Sequence, residues 1–535
     1  MASIKEVISK PLNRPWLFWL AVFLSIFIPL YPKFPLFDVL PGYIVRVRLE
    51  DFFILVFALI YLGLWILGKV KPLKNPLFWI VVGYLAVGAV SGLVAIFIIK
   101  TIPMESVHIL KWALHWARRV EYFFPLFLFY DGFKNRDYFK NLILVLTLVV
   151  LATAVYGFGQ KYAQWPVYST MNREFAKGWR LVLTEHARVP STFAGHYDLA
   201  AFLVLVLPLT MGAVFYSRSL SGKILGWSAF ISGYTLLILT ASRTSFLALA
   251  GSIILLFGFY IHALGWKKTL VQMLIITVFG ATTFLAFGDL SGRFSQIINL
   301  SKANGYIANN IFHLDQKTPQ HYVNISDQLA LVADKTDIPP VPVKSRGSGS
   351  QGATGEESPE FLSPPDVYGD IPDLFSSVDS NGVVTIISKP RQYSVAAFTY
   401  GLSSAIRFDA LWPRAIAGFK KNPLLGSGYS TLVKVQVTDF TEAESTDNDY
   451  LRALGETGLL GFFLFYGAIV YAAYLIWKSL KTREFYEGKA VLAAVLVGIL
   501  GLLINATYID VFEASKVALA FWGLIGASIA YGKTH

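Results

Sequence analysis

Residues 197–216 read YDLAAFLVLVLPLTMGAVFY. One carboxylate, Asp198, stands at the start, and nothing charged follows for the rest of the run. A helix of about 20 such residues spans the hydrocarbon core of a bilayer. Wound at 3.6 residues per turn, the run has no polar stripe, so it suits lipid or the inside of a helix bundle rather than a water-facing surface. Comparable runs recur at about 15–31, 52–68, 77–99, 107–130, 141–159, 224–240, 244–263, 269–287, 453–476, 490–505 and 512–531. With 197–216 they make about twelve transmembrane helices. The expected fold class is an all-α polytopic membrane protein.

Composition agrees with that class. Of 535 residues, 55% are hydrophobic and 15% charged, and the mean hydropathy is +0.54. A soluble domain carries about 25% charged residues. Cysteine is absent, which removes disulfides, thiolate metal sites and a thiol nucleophile. The first run leads into Pro32-Lys33-Phe34-Pro35 with no small-residue cleavage motif, so it is expected to remain as a first span.

A net charge of +12 raises the question of nucleic acid, and its distribution argues against that partner. The cations gather in short connections: Lys69, Lys71 and Lys74; Lys134, Arg136 and Lys140; Arg218 and Lys223; Lys267 and Lys268; Lys478, Lys481, Arg483 and Lys489. With twelve spans these connections share one side with both termini. The positive-inside rule makes that side cytoplasmic. The expected location is the plasma (inner) membrane, with membrane lipids as partners.

Three longer segments then fall outside: 32–51, 160–196 and 288–452. The last holds more than half of the acidic residues. It divides the chain into nine spans in 1–287, an extracytoplasmic loop in 288–452 and three spans in 453–535. Within it, about 300–395 is rich in Pro, Ser, Gly and Asp. Ser345 to Gly352 suggests a flexible connector, and Ser380-Asn381-Gly382 before Val383 to Ile387 suggests a small hairpin.

Chemistry-bearing residues collect on that outer side. Arg188, His196 and Asp198 stand at the opening of the sixth span, and Arg243 opens the eighth, where the positive-inside rule gives it no reason to be. At about 403–421, Phe408, Leu411, Trp412 and Ile416 recur at helical spacing, as in an amphipathic helix at the membrane surface. Arg407, Arg414 and Lys421 lie seven apart, which puts them on one helix face. That face suits lipid head groups, and it also suits a diphosphate, because guanidinium groups form bidentate hydrogen bonds to phosphate oxygens. Asn422-Pro423 ends the helix, and Gly426 and Gly428 supply a tight turn. Thr446, Asp447 and Asn448 are all preferred helix N-cap types, yet capping uses one of them and leaves an acidic approach of Glu442, Glu444, Asp447 and Asp449. Deep in the fourth span, Arg118 and Glu121 are spaced to pair along one helix, next to Arg119.

Taken together, these motifs resemble the O-antigen ligase and O-antigen polymerase superfamily. The resemblance rests on Arg48-Leu49-Glu50-Asp51, on Arg188 with the sixth span, on Thr240 to Ser245, and most densely on 403–461. There Arg407-x4-Trp412 precedes Pro423-x-x-Gly426-x-Gly428, and Asp447-Asn448-x-Tyr450-Leu451 opens a helix with Gly458-Leu459-Leu460-Gly461. It implies a GT-C-like membrane glycosyltransferase that takes glycan from a polyprenyl-diphosphate carrier, with no cofactor and no metal in the ligases. The acceptor is a hydroxyl of a glycan, lipid or protein on the outer face. The resemblance assigns Arg243 and Arg407 to the diphosphate and the polar residue before Asn448 to the acceptor. Arg188, Arg414, Asn448, Tyr450 and His196 are the expected further substrate contacts. Where the ligases carry histidine this chain has Asp447, a departure that tilts the expectation toward polymerisation of an undecaprenyl-diphosphate-linked glycan over ligation. A twelve-span secondary transporter is the alternative of another class. Transporters tend to carry ionisable groups at mid-membrane and repeated halves, and here the polar residues gather mainly on one face.

Overall fold

The computed structural model describes residues 15–37, 39, 46–70, 75–170, 176, 178–183, 187–217, 219–286, 373–378, 384–389, 407–432, 445–482 and 488–533. The chain divides into two compact units, 1–296 with 393–535, and 297–392.

The first unit is a helical bundle. Its helices are α1 (Pro15–Leu30), α2 (Leu49–Ile66), α3 (Pro76–Phe97), α4 (Ser106–Gly132), α5 (Arg136–Tyr162), α6 (His196–Tyr216), α7 (Leu220–Leu239), α8 (Arg243–Leu264) and α9 (Trp266–Ala286). A π-helical turn (Arg407–Leu411) leads into α10 (Trp412–Lys421), followed by α11 (Asp449–Lys481), α12 (Ala490–Asn505) and α13 (Ser515–Lys533). Two short strands, β1 (Pro35–Phe37) and β2 (Val47–Arg48), pair antiparallel before α2. The expected spans coincide with α1–α9 and α11–α13. Among the described residues, 8 of these helices are long and apolar enough to cross a membrane, and α1, α9 and α12 are shorter apolar helices. In α4 the charges of Lys111, Arg118, Arg119 and Glu121 interrupt the apolar stretch.

The opening run forms α6 and sits in the middle of the bundle, as an all-round apolar helix should. Residues Leu199 to Leu207 are at most 1% exposed, and α6 packs against α5, α7, α8, α12 and α13. Small residues let the helices approach closely. A side chain at Gly498 would press on the Leu205 carbonyl at 2.6 Å, and one at Gly526 on that of Leu126 at 2.2 Å. At the other extreme is α2, with only 17% of its apolar window buried and Phe52, Leu55, Leu59 and Ile66 turned outward.

The alternate connections that the charge pattern assigns to the outer side meet at one end of this unit. Lys33 pairs with Glu50 and Ser515. The Lys516 amine donates to the carbonyls of Pro29 (3.1 Å), Tyr31 (2.6 Å) and Thr192 (2.7 Å). The Val189 amide donates to the Leu239 carbonyl at 3.2 Å.

The second unit contains the expected hairpin: β3 (Asp373–Val378) pairs antiparallel with β4 (Val384–Lys389), from Asp373 opposite Lys389 to Val378 opposite Val384. The expected connector 345–352 and the expected start of the amphipathic helix at 403–406 lie outside the described residues.

Two expectations change. The turn at 407–411 is π rather than α, which alters the register ahead of α10. Arg407 is consequently 3% exposed while Lys421 faces solvent, so Arg407, Arg414 and Lys421 do not share one presented face. The Arg118 pairing also runs across helices. Arg118 reaches Asp51 of α2 at 3.4 Å, and Arg119 donates to Glu513 at 2.7 Å, beyond α12.

Candidate active site

The loop Asn422 to Gly428 docks on a break in α11. Gly458 takes φ +64°, ψ −165°, and so interrupts the helical hydrogen bonds after its second turn. The groups released there are satisfied by the loop. Ser427 N donates to Gly455 O (2.8 Å) and Gly428 N to Glu456 O (2.9 Å), while Leu459 N donates to Pro423 O (2.8 Å) and Leu460 N to Leu424 O (3.1 Å). Glycine is required on both sides. A Cβ on Gly426, itself at φ +71°, would lie 2.4 Å from the Glu456 carbonyl carbon, and one on Gly458 would lie 2.4 Å from that of Leu424. This junction anchors the end of α10, and hence the turn that carries Arg407.

The segment Ser445 to Asn448 is held from the other side by Asp510, in the connection between α12 and α13. The Asp510 carboxylate accepts hydrogen bonds from Ser445 Oγ (2.9 Å), Thr446 N (2.7 Å), Asn448 N (2.8 Å) and Arg452 Nη1 (2.8 Å). Asn448 is the N-cap of α11: its Oδ1 accepts from Leu451 N at 2.9 Å and its Nδ2 donates to Thr507 O at 3.0 Å. Tyr450, the second residue of α11, donates its hydroxyl to Leu503 O at 2.8 Å and stacks on Tyr466. Both side chains are thus engaged with backbone groups. Asp447 has no capping duty. It adopts φ +51°, a left-handed conformation that aspartate tolerates better than most residues.

Asp447 Oδ2 lies 2.8 Å from Arg407 Nη2, with the carboxylate side chain 23% exposed and the arginine 3%. The carboxylate is the more exposed of the two. Arg407 also lies 4.2 Å above the centre of the Tyr508 ring. Burial opposes its charge, but Asp447, Tyr197 and Tyr508 together raise its pKa above the ordinary arginine value. It is a permanent cation.

Next to it, at the start of α6, Arg188 Nη1 donates to His196 Nε2 at 2.6 Å and to Tyr197 Oη at 3.3 Å. A guanidinium only donates, so Nε2 is the acceptor and a neutral His196 carries its proton on Nδ1. Arg188, His196 and Tyr197 are joined by hydrogen bonds at the start of α6, and Arg407 with Asp447 forms a second pair whose charges act on Tyr197. Arg243 stands half-buried at the start of α8, just after Ala241 at φ +51°. Its first turn is tied to the same end of the bundle through Ser245 Oγ, which donates to Asn505 Oδ1 at 3.1 Å. Arg414 is half-buried on α10. Positive-φ residues recur in the turns that feed the site: Ser191 between Arg188 and His196, Ala241 before Arg243, and Asp447 itself. Such outliers often mark functional turns.

A second charged layer lies behind the cluster. Arg452 bridges Asp510 to Glu456 (3.4 Å) and Glu513 (3.6 Å), and Arg119 also reaches both glutamates. Arg119, Arg452, Glu456 and Glu513 line a cavity of about 30 Å³ together with Tyr84, Tyr122 and Tyr429. Among the described residues no group of three or more His, Asp or Glu is placed to hold a metal ion.

Residues 227–466 match the O-antigen ligase family. No curated protein matches the chain. The matched stretch agrees with the superfamily of O-antigen ligases and polymerases and begins within α7 and ends within α11. It contains Arg243, Arg407, Arg414, Asp447, Asn448 and Tyr450. Arg188, His196, Tyr197, Tyr508 and Asp510 lie outside the part matched to the O-antigen ligase family and join it through the fold. Of these, Tyr197, Tyr508 and Asp510 were not singled out from sequence. A detectable signal existed for Arg452 and Glu456, ionisable groups one turn apart at the head of an apolar span, and for Asp510 and Glu513, two acids in a short connection between spans.

Proposed function

We propose that the protein is a glycosyltransferase of the hexosyltransferase type, independent of metal, that draws on an undecaprenyl-diphosphate-linked glycan at the extracytoplasmic face. In this reading all twelve helices cross the membrane and both termini are cytoplasmic. The meeting of Lys33, Glu50, Val189, Leu239, Ser245, Thr446, Asn505 and Asp510 at one end supports it, because in the twelve-span reading their connections alternate with the short cationic ones. The observation that carries the reading is the Arg407–Asp447 contact at 2.8 Å, flanked by Arg188, His196 and Tyr197.

Transfer needs two things from such a site. The acceptor hydroxyl oxygen bonds to the anomeric carbon as the bond from that carbon to the diphosphate oxygen breaks, and the bonding pair leaves with the diphosphate. Guanidinium groups fixed in a partly dehydrated cleft stabilise the charge that develops there; Arg407, Arg243 and Arg188 take that role. The hydroxyl proton passes to Asp447, a carboxylate with one face open to solvent. The carboxylate at a position where ligases carry histidine favours polymerisation, in which the acceptor is itself a glycan. Ligation to a lipid or protein is the second reading, favoured by the family match itself.

The test is incubation of purified protein with lipid-linked oligosaccharide, with and without a separate acceptor. Chain growth supports polymerisation, and glycosylation of the added acceptor supports ligation. Arg407→Ala should abolish either product while yield and membrane insertion stay as in the wild type. Full activity in that variant would remove the diphosphate role from Arg407.

A further inference from the structure

Ser445 stands between two carboxylates. Its Oγ lies 2.5 Å from Asp447 Oδ1 and 2.9 Å from Asp510 Oδ2, and it accepts a hydrogen bond from Asp447 N at 3.1 Å. A serine hydroxyl has one proton to donate and two lone pairs with which to accept. With both acids ionised, that proton serves one carboxylate at a time, and the other contact is left as oxygen facing oxygen. The set is one proton short.

Glycan transfer releases a proton at this place. Arg407 occupies Asp447 Oδ2 at 2.8 Å, so Oδ1 is the oxygen that takes the acceptor's proton. Asp447 then donates to Ser445 Oγ, and the serine keeps its own proton but turns it to Asp510 Oδ2. With the Asp447 amide on the second lone pair, the hydroxyl is used to capacity and every contact is a hydrogen bond. Asp510 stays ionised through this step, because Thr446 N (2.7 Å), Asn448 N (2.8 Å) and the Arg452 guanidinium (2.8 Å) also donate to it. The other groups facing the pair keep their charge: Arg407 from the π turn with Tyr508 beneath it, Tyr197 at the mouth of α6, and Glu456 and Glu513 beyond Arg452.

We propose that Ser445 is a positioning residue that strengthens Asp447 as a base, linking it to Asp510 through a hydroxyl that turns as the acceptor's proton arrives. This rests on the glycan-transfer reading above and deepens the part Asp447 plays in it. Ser445→Ala removes the link, and Ser445→Thr keeps it. What protonation gains from the link is one neutral hydrogen bond, which corresponds to about a twofold to tenfold change in the proton affinity of Asp447.

The experiment measures transfer from lipid-linked oligosaccharide across pH for wild type and both variants. In Ser445→Ala the plateau kcat should fall by up to about tenfold while donor KM stays within about twofold. The base works deprotonated, and a weaker base sheds its proton at lower pH. The acid limb of the kcat profile should therefore move down by roughly half a pH unit to one unit. Below that limb the variant should match or exceed wild type. Ser445→Thr should restore the wild-type profile, and in an Asp447→Asn background Ser445→Ala should change nothing further. An equal fall at every pH with the limb unmoved would overturn the proposal, since it marks only the loss of the contact to Asp447 N. A limb that moves up, a threonine variant that behaves as alanine, or an additive loss with Asp447→Asn would overturn it as well. Wild-type protein that transfers nothing from the lipid-linked donor overturns the functional reading itself, and the two failures are distinguishable.

Discussion

Replacing Asp510 with asparagine tests how the site is built, without touching Arg407 or Asp447. The carboxylate receives four donors at 2.7–2.9 Å, from Ser445, Thr446, Asn448 and Arg452. Three of these hold the short approach to α11 on which Asp447 sits, and the fourth is a buried guanidinium. Asparagine keeps one acceptor oxygen and presents an amide donor where Oδ2 now accepts from Ser445, Thr446 and Arg452. At least two charge-assisted hydrogen bonds are then lost, each worth about 1.5–3 kcal/mol. Arg452 is not stranded, because Glu456 and Glu513 remain 3.4 and 3.6 Å from it, so the full penalty of an unpaired buried charge does not apply. A net local cost of about 3 kcal/mol lowers the ratio of molecules with Asp447 in position to those without it by about a hundredfold. Transfer activity should fall about a hundredfold. The melting temperature in detergent should move little, because the same energy is a small part of the unfolding enthalpy of so large a bundle. Measuring initial transfer rates and thermal unfolding on one preparation separates the two effects. Activity within threefold of wild type would refute the view that Asp510 holds the site in register.

Three shorter predictions accompany it. Asp447→Asn keeps the size and the left-handed turn but cannot take a proton, so turnover should drop by about 10²–10⁴ with donor binding retained; undiminished turnover would remove the base role. Arg407→Lys keeps the charge without the planar fork or the stacking on Tyr508, and should retain more activity than Arg407→Ala yet well below wild type, as read by transfer rate. Burial works against the Glu513 charge, but Arg119 and Arg452 outweigh it and hold its pKa below the usual glutamate value. A carboxylate depressed on folding adds stability that is present above its unfolded pKa and lost as pH falls through the folded value. Melting temperature should therefore decline in that acid range, and Glu513→Gln should start lower at neutral pH and flatten the decline, which a pH series of melts will show.

The helices were legible because their cause is local. An apolar run of bilayer length becomes a helix whatever it packs against, which is why 197–216, 244–263 and 490–505 fall within a few residues of α6, α8 and α12. What the runs did not disclose is rank. The enclosed α6 and the outward-facing α2 have similar hydropathy, and their difference in burial is a property of neighbours. The π turn at 407–411 was invisible for a related reason. Seven-residue spacing predicts a shared face only while the helix stays α, and Arg407 turns inward because one loosened turn precedes α10.

The site divides along the same line. Arg188, His196 and Asp447 could be chosen from sequence because each is a polar residue near the mouth of an apolar run, where packing alone does not call for it, and Arg407 because it recurs with Arg414 and Lys421 along an amphipathic stretch. Tyr197, Tyr508 and Asp510 could not, because their roles exist only between distant segments. Asp510 lies 63 positions after Asp447, and nothing in the connection between α12 and α13 announces that its carboxylate receives the backbone amides of 446 and 448. The N-cap shows the limit most clearly. Thr446, Asp447 and Asn448 are interchangeable as caps by residue type. The fold selects Asn448, since only its amide both caps Leu451 and reaches the Thr507 carbonyl. With capping assigned to Asn448 and the Thr446 amide bound to Asp510, Asp447 is the member of the three left to face Arg407. Local preference thus proposed three equivalent residues, and tertiary hydrogen bonding released the one whose carboxylate meets the guanidinium.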